Sequence, residues 1–272
     1  VLILALVVLA SFALGAEPIR PIAGAWVLFL FINNVLTFAA VMVALVSSYE
    51  FAVVRAEDAL QQEFDRAETL LLNILPADIA ARLKASEKPL ADSHESVSVL
   101  FADLVGFTAI SRTVSATQLV NLLNDLFSRF DRLADEHGAE KIKTIGDSYM
   151  VATGLSPNVT DHAEKIAELA LDMRRVFGEF RRDNHVDLKI RIGIHSGAII
   201  SGVIGNKKFA YDLWGDTVNI ASRMESEGLV DKIQISAETC KMLSGRYQIS
   251  PRGEIQIKGH RPRETYLLEG HA

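Results

Sequence analysis

The chain has 272 residues, with 28 Lys and Arg against 34 Asp and Glu, which gives a formal net charge of −6. Apolar residues make up 49% of the chain, and the mean hydropathy is +0.21. These values exclude collagen-like, disordered and disulfide-scaffold proteins, and the net acidity argues against a nucleic-acid partner. The single Cys240 forbids an intrachain disulfide and fits a reducing compartment.

Charge is distributed unevenly along the chain. Residues 1–47 contain two charged side chains, Glu17 and Arg20, whereas the remainder has the charged fraction of an ordinary globular domain. The composition therefore predicts a membrane segment followed by one soluble domain. Because the chain has no initiator Met and no basic segment before its first apolar run, we expect it to begin inside a longer protein rather than with a signal peptide.

A transmembrane helical hairpin is expected over residues 1–48. Residues 1–15 fall short of the ~20 residues that a membrane helix needs, residues 16–24 carry two prolines and predict a turn, and residues 25–47 are long enough for a full span. Asn33 and Asn34 lie within the second span. Two interpretations stay open for them: a helix–helix or sensing contact, or a polar pair that faces other spans of the same bundle.

A linker helix is expected over residues 49–92, before the soluble domain. Residues 48–83 contain no Gly and a single Pro, Pro76, which predicts a helix. Apolar residues in it step by 4, 3, 4 and 3 positions, the spacing of a short coiled coil: Leu60, Phe64, Ala67, Leu71 and Ile74. Two interpretations stay open, a parallel coiled-coil dimer or one amphipathic helix lying on the next domain.

Strands and helices alternate through residues 93–272, which predicts an α+β fold with a mostly antiparallel sheet and helices on one face. The predicted helices are residues 116–137, 161–180 and 217–227, the last with Asp216 as N-cap. The predicted single strands are residues 96–101, 232–235, 247–250, 254–258 and 264–268. Two hairpins are predicted, 141–145 with 148–153 around Gly146 and Asp147, and 188–195 with 198–204 around Ser196 and Gly197.

Two acidic residues at predicted strand ends are candidates for metal binding. Asp103 ends an apolar strand, and Asp147 lies at the tip of the first hairpin. Carboxylates in such places can ligate Mg²⁺, and two metal ions can clamp the attacking and leaving oxygens of a phosphoryl displacement. Gly106 would let backbone N–H groups approach a triphosphate. Spacing alone favours the simpler interpretation, in which both aspartates are structural.

One predicted helix carries a second candidate pair. Asn219 and Arg223 lie four residues apart and so share a face, where an amide and a guanidinium could stabilise charge on a phosphate and bind a ribose oxygen. Taken alone, this pair is more typical of a solvated helix face. His195 is interpreted as a structural histidine at a turn rather than as a general base. Walker A, dinucleotide-binding, zinc-protease and nucleophile-elbow motifs do not occur in the sequence.

Four segments together resemble the class III nucleotidyl cyclases, the adenylate and guanylate cyclases: residues 99–108, 141–147, 191–205 and 211–224. The resemblance extends over residues 71–268. It implies a ferredoxin-like cyclase catalytic domain at residues 93–272, in a multi-pass cell-membrane protein of a bacterial, mammalian-like type. It also implies a homodimer with a cytoplasmic catalytic domain that converts ATP to 3′,5′-cyclic AMP and pyrophosphate.

The resemblance also implies a role for each matching residue. Asp103, Asp147 and the Leu104 backbone would bind two Mg²⁺ or Mn²⁺ ions per active site. Asn219 and Arg223 would position the ribose and stabilise the transition state, and Lys143 and Asp212 would select the purine. The triphosphate would be bound by Gly106, Phe107, Thr108 and Lys258. His260 stands where some relatives carry a further Lys.

The purine-selecting pair favours ATP. An ammonium and a carboxylate satisfy the N1 acceptor and the N6 donor of adenine, whereas guanylate cyclases generally carry Glu and Cys at these positions. Lys141, two residues from Lys143, is assigned a solvated-surface role and serves as an internal control. The aspartates would come from one subunit, and Lys143, Asp212, Asn219 and Arg223 from the other.

Two alternatives to an adenylate cyclase stay open. One is a guanylate or relaxed-specificity cyclase, and the other is a catalytically silent membrane receptor or scaffold with a cyclase fold. The membrane segment also has two open roles, because it could bind an unidentified ligand or only assemble the dimer.

Overall fold

The computed structural model describes Ala13 and residues 24–85, 90–156, 159–205, 208–243, 245–256 and 262–272. The chain divides into two compact units, Val1–Ala80 and Ala81–Ala272. Apart from Ala13 and Gly24, the expected first membrane stretch and the turn after it lie outside the described residues.

The first unit is dominated by one long helix, α1, at Gly24–Leu72. Its most apolar window of 18 residues has a mean hydropathy of 2.3, and it is the one helix in the described part of the chain that is long and apolar enough to cross a membrane. Its 49 residues span roughly 74 Å at 1.5 Å per residue, far more than the ~30 Å of a hydrocarbon core. The helix therefore continues well past the expected span into the linker.

The linker is not one uninterrupted helix. α1 ends at Leu72 and a second helix, α2, begins at Ala77, directly after Pro76. Proline has no N–H to donate and is tolerated at the start of a helix but not inside it, which explains the break. The expected coiled-coil positions Leu60, Phe64 and Ile74 are 60–72% exposed, so pairing of this helix with a second copy stays a prediction.

The second unit contains the α+β domain. Its helices are α3 Phe107–Ile110, α4 Ala116–Glu136, α5 His162–Asn184, α6 Asp216–Ser226 and α7 Ala237–Met242. Its strands are β1 Ala91–Val105, β2 Glu140–Ile145, β3 Ser148–Thr153, β4 Lys189–Ile204, β5 Ala210–Trp214, β6 Ile233–Ser236, β7 Tyr247–Ile255 and β8 Arg263–His271. The predicted helices at 116–137, 161–180 and 217–227 are confirmed to within a few residues.

Within the described residues these strands form a single sheet in the order β2-β3-β1-β4-β6-β8-β7, with β5 paired to β4. β4 and β6 are parallel, and the other paired strands are antiparallel, so the predicted mostly antiparallel sheet is confirmed. The hairpin of β2 and β3 turns at Gly146 and Asp147 as expected, and Gly146 adopts a positive φ of 64°.

Helices cover both faces of the sheet, so the expectation of helices on one face is wrong. On one face, alternate residues of β1, among them Leu100 and Leu104, form the main apolar core with α4 and α5. On the opposite face, Val99 and Phe101 form a second core that includes Ala221 of α6. α6 reaches this face because β4 presents Gly193 there: a Cβ on Gly193 would lie 2.0 Å from the Glu225 backbone nitrogen.

The second predicted hairpin is also wrong. β4 runs without a turn through Ser196 and Gly197, because both residues stay in register with β1, opposite Ser98 and Val97. Gly197 serves the contact with α6 instead, since a Cβ there would lie 2.7 Å from Thr217 Oγ1.

Two smaller expectations at element ends also change. Gly215 is the N-cap of α6, and Asp216 is its first helical residue, so the expected capping role of Asp216 is wrong. The predicted strand 247–250 and the first two residues of the predicted strand 254–258 join into β7, with a register shift between Pro251 and Gly253, while residues 257 and 258 lie outside the described residues.

Candidate active site

The two candidate metal-binding aspartates lie at the same end of neighbouring strands. β1 pairs with β3 so that Ala102 is opposite Tyr149, which brings Asp103, the next residue of β1, beside the start of β3. Asp147 immediately precedes β3 in the turn. The close approach of the two carboxylates therefore follows directly from the strand register.

The electrostatics of Asp147 fit a cation site. Burial raises the pKa of its carboxyl, and the charge of Asp103 raises it further, while Arg191 acts in the opposite direction. Two half-buried carboxylates that repel one another offer the oxygen ligands that hard divalent ions prefer. The described residues contain no cluster of three or more acidic, His or Cys side chains suited to a metal, so these two aspartates would need backbone, water or substrate oxygens to complete a coordination shell.

A short segment after Asp103 has the form of a phosphate loop. Gly106 adopts φ 94°, a conformation that favours glycine, and directly precedes α3, whose first residues are Phe107 and Thr108. The first N–H groups of a helix lack partners within it, so they remain free to face an anion. The Leu104 side chain is buried in the main core, while its proposed metal contact is a backbone one. Lys258 lies outside the described residues.

The two predicted purine-selecting residues are in direct contact. Lys143 Nζ lies 2.5 Å from Asp212 Oδ2, although the residues are 69 positions apart in sequence. Lys143 comes from β2 and Asp212 from β5, and both side chains are partly exposed. The chain thus brings together an ammonium donor and a carboxylate acceptor.

A β-bulge separates Lys143 from Lys141. The register of β2 against β3 shifts between them, so that Lys141 is opposite Val151 and Lys143 opposite Met150. Val151 belongs to the core with α4 and α5, whereas Met150 belongs to the core with α6. The bulge therefore directs the two lysines to opposite faces of the sheet, which ideal strand alternation would not do.

Lys141 has a structural partner on its own face. Its Nζ lies 2.7 Å from an oxygen of Asp131 on α4, and the buried Tyr149 donates its hydroxyl to the same carboxylate at 2.7 Å. Lys141 thus ties β2 to α4 away from Lys143, rather than standing in solvent alone as expected.

α6 presents the candidate catalytic residues outward. Asn219 and Arg223 are both exposed and lie one helical turn apart, while Thr217, Ile220 and Met224 of the same helix are buried towards the sheet. The described residues of one chain form no recorded hydrogen bond with either side chain. This exposed face is therefore available to a substrate or a second subunit.

Two charged residues that the sequence analysis did not assign belong to this site. Arg191 of β4 donates from Nη2 to Asp103 at 3.0 Å and from Nε to Glu225 at 3.1 Å. Burial raises the pKa of Glu225 to about 7, and Asp103 adds to this rise, while Arg191 opposes it. A sequence signal existed for both, since Arg191 interrupts an apolar strand and Glu225 falls on the buried side of α6.

His195 is structural, as expected, but not at a turn. It is buried within β4, and its Nδ1 lies 2.7 Å from Ser236 Oγ. Burial lowers its pKa to about 4. A buried histidine that stays neutral and is hydrogen-bonded away from the aspartates contributes to packing rather than to proton transfer at the site.

A family model matches the α+β domain of this chain. The adenylate and guanylate cyclase catalytic domain model matches residues 90–270. The chain belongs to this family of class III nucleotidyl cyclases.

Two curated relatives resemble the chain over most of its length. It is 41% identical over 243 residues to an adenylate cyclase of Mycobacterium tuberculosis, covering 88% of this chain and 55% of that protein. It is 42% identical over 229 residues to human atrial natriuretic peptide receptor 2, covering 82% of this chain and 22% of the receptor. The chain thus spans about half, or less, of the length of these curated relatives.

Solved cyclase domains share the fold. The guanylate cyclase domain of RhGC from Catenaria anguillulae, determined in complex with GTP, aligns with a TM-score of 0.64 and 36% identity. The alignment covers 66% of this chain and all of that domain.

Proposed function

We propose that this chain is a membrane-anchored adenylate cyclase that converts ATP to 3′,5′-cyclic AMP and pyrophosphate at a homodimer interface. The observation that carries the choice of ATP is the contact between Lys143 Nζ and Asp212 Oδ2. A donor and an acceptor held together match the edge of adenine, whereas the Glu and Cys expected of guanylate cyclases are absent from both positions.

The reaction is an in-line displacement. The ribose 3′ oxygen attacks the α-phosphorus, the bond from that phosphorus to the bridging oxygen of the β-phosphate breaks, and pyrophosphate leaves with that oxygen. Asp103, Asp147 and the Leu104 carbonyl would hold two Mg²⁺ or Mn²⁺ ions, which lower the pKa of the 3′ hydroxyl and stabilise the leaving pyrophosphate. The 3′ proton passes to solvent or to the substrate itself, and we expect no protein base to be essential.

The remaining residues bind and orient the nucleotide. Asn219 orients the ribose and Arg223 stabilises the charge that develops at the α-phosphate, since an amide and a guanidinium donate hydrogen bonds to those oxygens. The backbone N–H groups after Gly106 hold the terminal phosphates, and Lys258 adds a positive charge to them.

The active site is shared between two copies. The aspartates lie beside the β2–β3 turn, whereas Asn219 and Arg223 are exposed on α6 and form no hydrogen bond or ion pair with the aspartates within the described part of the chain. A homodimer would complete two equivalent sites, and one homologous guanylyl cyclase domain is described as a non-canonical dimer, so such domains can pair. Its two chains would each supply one half of every site.

α1 anchors the enzyme in a cell membrane and leads towards the catalytic domain. Its apolar N-terminal half supplies the span, and the catalytic domain lies on the cytoplasmic side, where ATP is available. Further spans upstream and the coiled-coil pairing of the linker belong to the same proposal.

A turnover assay tests the function directly. The purified chain, in detergent or nanodiscs, is supplied with ATP or GTP together with Mg²⁺ or Mn²⁺, and the cyclic nucleotide is measured. We expect cyclic AMP from ATP and much less cyclic GMP from GTP. Equal use of both nucleotides would favour a relaxed-specificity cyclase, and no product under any condition would favour the silent receptor or scaffold.

A double variant tests the purine assignment. Lys143→Glu combined with Asp212→Cys should depress ATP use, and unchanged ATP selectivity would refute the purine assignment.

A mixing experiment tests the shared site. Asp103→Ala chains and Asn219→Ala chains should each be inactive alone, while a mixture should regain about a quarter of wild-type activity, because half of randomly formed dimers are mixed and each has one intact site. No rescue, with both chains shown to be folded and paired, would contradict shared sites.

A further inference from the structure

Arg191 joins the candidate metal site to a buried acid on α6. Its guanidinium donates from Nη2 to Asp103 Oδ2 at 3.0 Å, from Nε to Glu225 Oε1 at 3.1 Å, and from Nη1 to the Ser226 backbone oxygen at 3.5 Å. The Glu225 side chain is 9% exposed, less than half the exposed fraction of either Asp103 or Arg191. A single guanidinium thus spans from the metal-binding carboxylate to a largely buried one.

The backbone fixes the position of Glu225 relative to Arg191. α6 lies so close to β4 that a Cβ on Gly193 would come within 2.0 Å of the Glu225 nitrogen. Gly193 is two residues from Arg191 and therefore on the same face of the strand. The close approach of helix and strand holds the Glu225 carboxylate beside Nε of the Arg191 guanidinium.

Binding of a divalent ion at Asp103 requires a change at Arg191. The ion and the guanidinium compete for the same carboxylate, and they repel one another once both are close. When Arg191 gives up Asp103 Oδ2, it still has Glu225 and the Ser226 oxygen as acceptors. Without Glu225, the guanidinium would either remain on Asp103 or lose its salt bridge on the α6 side, where it is only partly exposed to solvent.

We propose that Glu225 is a positioning residue. It holds Arg191 through their salt bridge when a divalent ion binds Asp103, and it so sets the affinity of the aspartate pair for the ion. The inference rests on the proposed function, since it assumes that Asp103 and Asp147 bind the ion. Glu225 touches neither ion nor substrate and acts through Arg191.

The test measures Mn²⁺ binding to the nucleotide-free full chain by electron paramagnetic resonance of the free ion. We expect Glu225→Gln, which keeps an acceptor for Nε but removes the charge, to raise the Mn²⁺ Kd about tenfold, and Glu225→Ala to raise it further, the size typical of losing a partner of a metal ligand. Glu227→Gln is the matched control, since it removes the same charge two residues away at an exposed position, and its Kd should stay at the wild-type value.

A second arm tests the route through Arg191. In an Arg191→Gln background, Glu225→Gln should have little further effect on the Mn²⁺ Kd. A full tenfold effect there would show that Glu225 acts directly on the ion and would overturn the proposal. Melting of the ion-free proteins identifies any variant that fails to fold. If Glu225→Ala unfolds, Glu225→Gln decides.

Failure of the inference is distinguishable from failure of the proposed function. If wild-type protein binds Mn²⁺, Asp103→Ala loses this binding, and folded Glu225 variants bind as tightly as wild type, the positioning role is wrong while the metal site stands. If Asp103→Ala and Asp147→Ala bind Mn²⁺ as wild type does, the metal assignment itself fails, and the inference fails with it.

Discussion

On one face of the sheet, Leu100, Ala102 and Leu104 of β1 pack with α4 and α5 into the main core, while on the other face the same strand presents Phe101 and Asp103 towards α6. The first face is closed by long amphipathic helices. In the described residues, the second face is covered by α6, a helix of 11 residues, and it carries the aspartates, Arg191 and the pair formed by Lys143 and Asp212. Strand alternation thus lets one set of strands build a stable core and a reactive surface at once.

The reactive face differs from the core face in a second way, because α6 packs on it over glycine residues of β4. The core face is filled by large apolar side chains, whereas α6 approaches the other face closely where β4 has Gly193 and Gly197. The charged residues of the α6 face are partly buried and paired with one another, so a substitution of one changes the electrostatic environment of its partner. Substitutions on the two faces should therefore differ in kind, with stability affected on one and activity on the other.

The largest effect is expected at Asp103. Asp103→Ala removes a carboxylate from the proposed ion site, and because such ions contribute several kcal/mol to transition-state stabilisation, we expect kcat/KM for ATP to fall at least about a thousandfold. The measurement is cyclic AMP production at saturating Mn²⁺. Asp131→Ala, an acid on the core face paired with Lys141, is the control and should keep most activity. Comparable loss in both variants would contradict the division between faces.

A smaller effect is expected from the matched lysines of β2. Lys143→Gln leaves Asp212 without its ionic partner and replaces the proposed ammonium donor to the base with a shorter, uncharged amide, so kcat/KM for ATP should fall about a hundredfold. Lys141→Gln removes the same charge from the other face and should change kcat/KM by less than about twofold, with a stability loss of about 1 kcal/mol or less. Equal kinetic losses would show that the bulge does not separate the roles of the two lysines.

Packing between α6 and β4 predicts the third effect. Gly193→Ala would place a methyl group 2.0 Å from the Glu225 nitrogen, so the helix must shift, at a cost of about 1–3 kcal/mol, and activity should fall because α6 carries Asn219 and Arg223. Gly178→Ala on α5 is the control, since its nearest atom would be the end of the Arg182 side chain at 3.8 Å and alanine favours a helix. Thermal melting and turnover of the two variants check this. An unchanged Gly193→Ala protein would contradict close packing as the reason for glycine there.

Local sequence signals predicted some elements of the fold correctly and failed at others. The β2–β3 hairpin and α4 follow from local signals, a Gly-Asp turn and a 3.6-residue apolar period. Gly197 was predicted as a turn residue, because a turn glycine and a glycine beneath a packed helix look alike in sequence. Only the register with β1 and the position of Thr217 distinguish them. Tertiary packing decides such positions.

In the candidate active site, too, contacts between residues that are distant in sequence could not be predicted. The candidate aspartates and the purine pair came from motif order, since spacing alone did not favour them. Arg191 and Glu225 could not be paired in advance, because they lie 34 residues apart and meet only where α6 crosses β4. A charged residue inside an apolar pattern predicts a buried ion pair, but its partner depends on the fold.

The smallest effect concerns the pH dependence of stability on the α6 side. Burial lowers the pKa of His195 to about 4, although Glu238 and Asp216 raise it and Arg263 lowers it. The folded state therefore keeps His195 neutral while the unfolded chain takes up a proton below pH ~6.5, so its contribution is complete above that pH and declines as the pH falls towards 4. Between pH 7 and pH 5 the loss should be about 2 kcal/mol.

His195→Gln isolates this contribution, because only its pH dependence is compared with wild type. The variant should be less stable at pH 7 but should lose less stability on acidification, while His162, whose pKa burial also lowers, contributes equally to both proteins. The measurement is the melting temperature of each protein in detergent between pH 7 and pH 5. Parallel curves would mean that His195 takes up its proton over the same pH range in the folded state as in the unfolded chain, and so is charged in the folded protein at pH 5. Such a histidine would carry its charge beneath the N-terminus of α6, and the proposed division between a buried structural histidine and the charged residues around Asp103 would then fail.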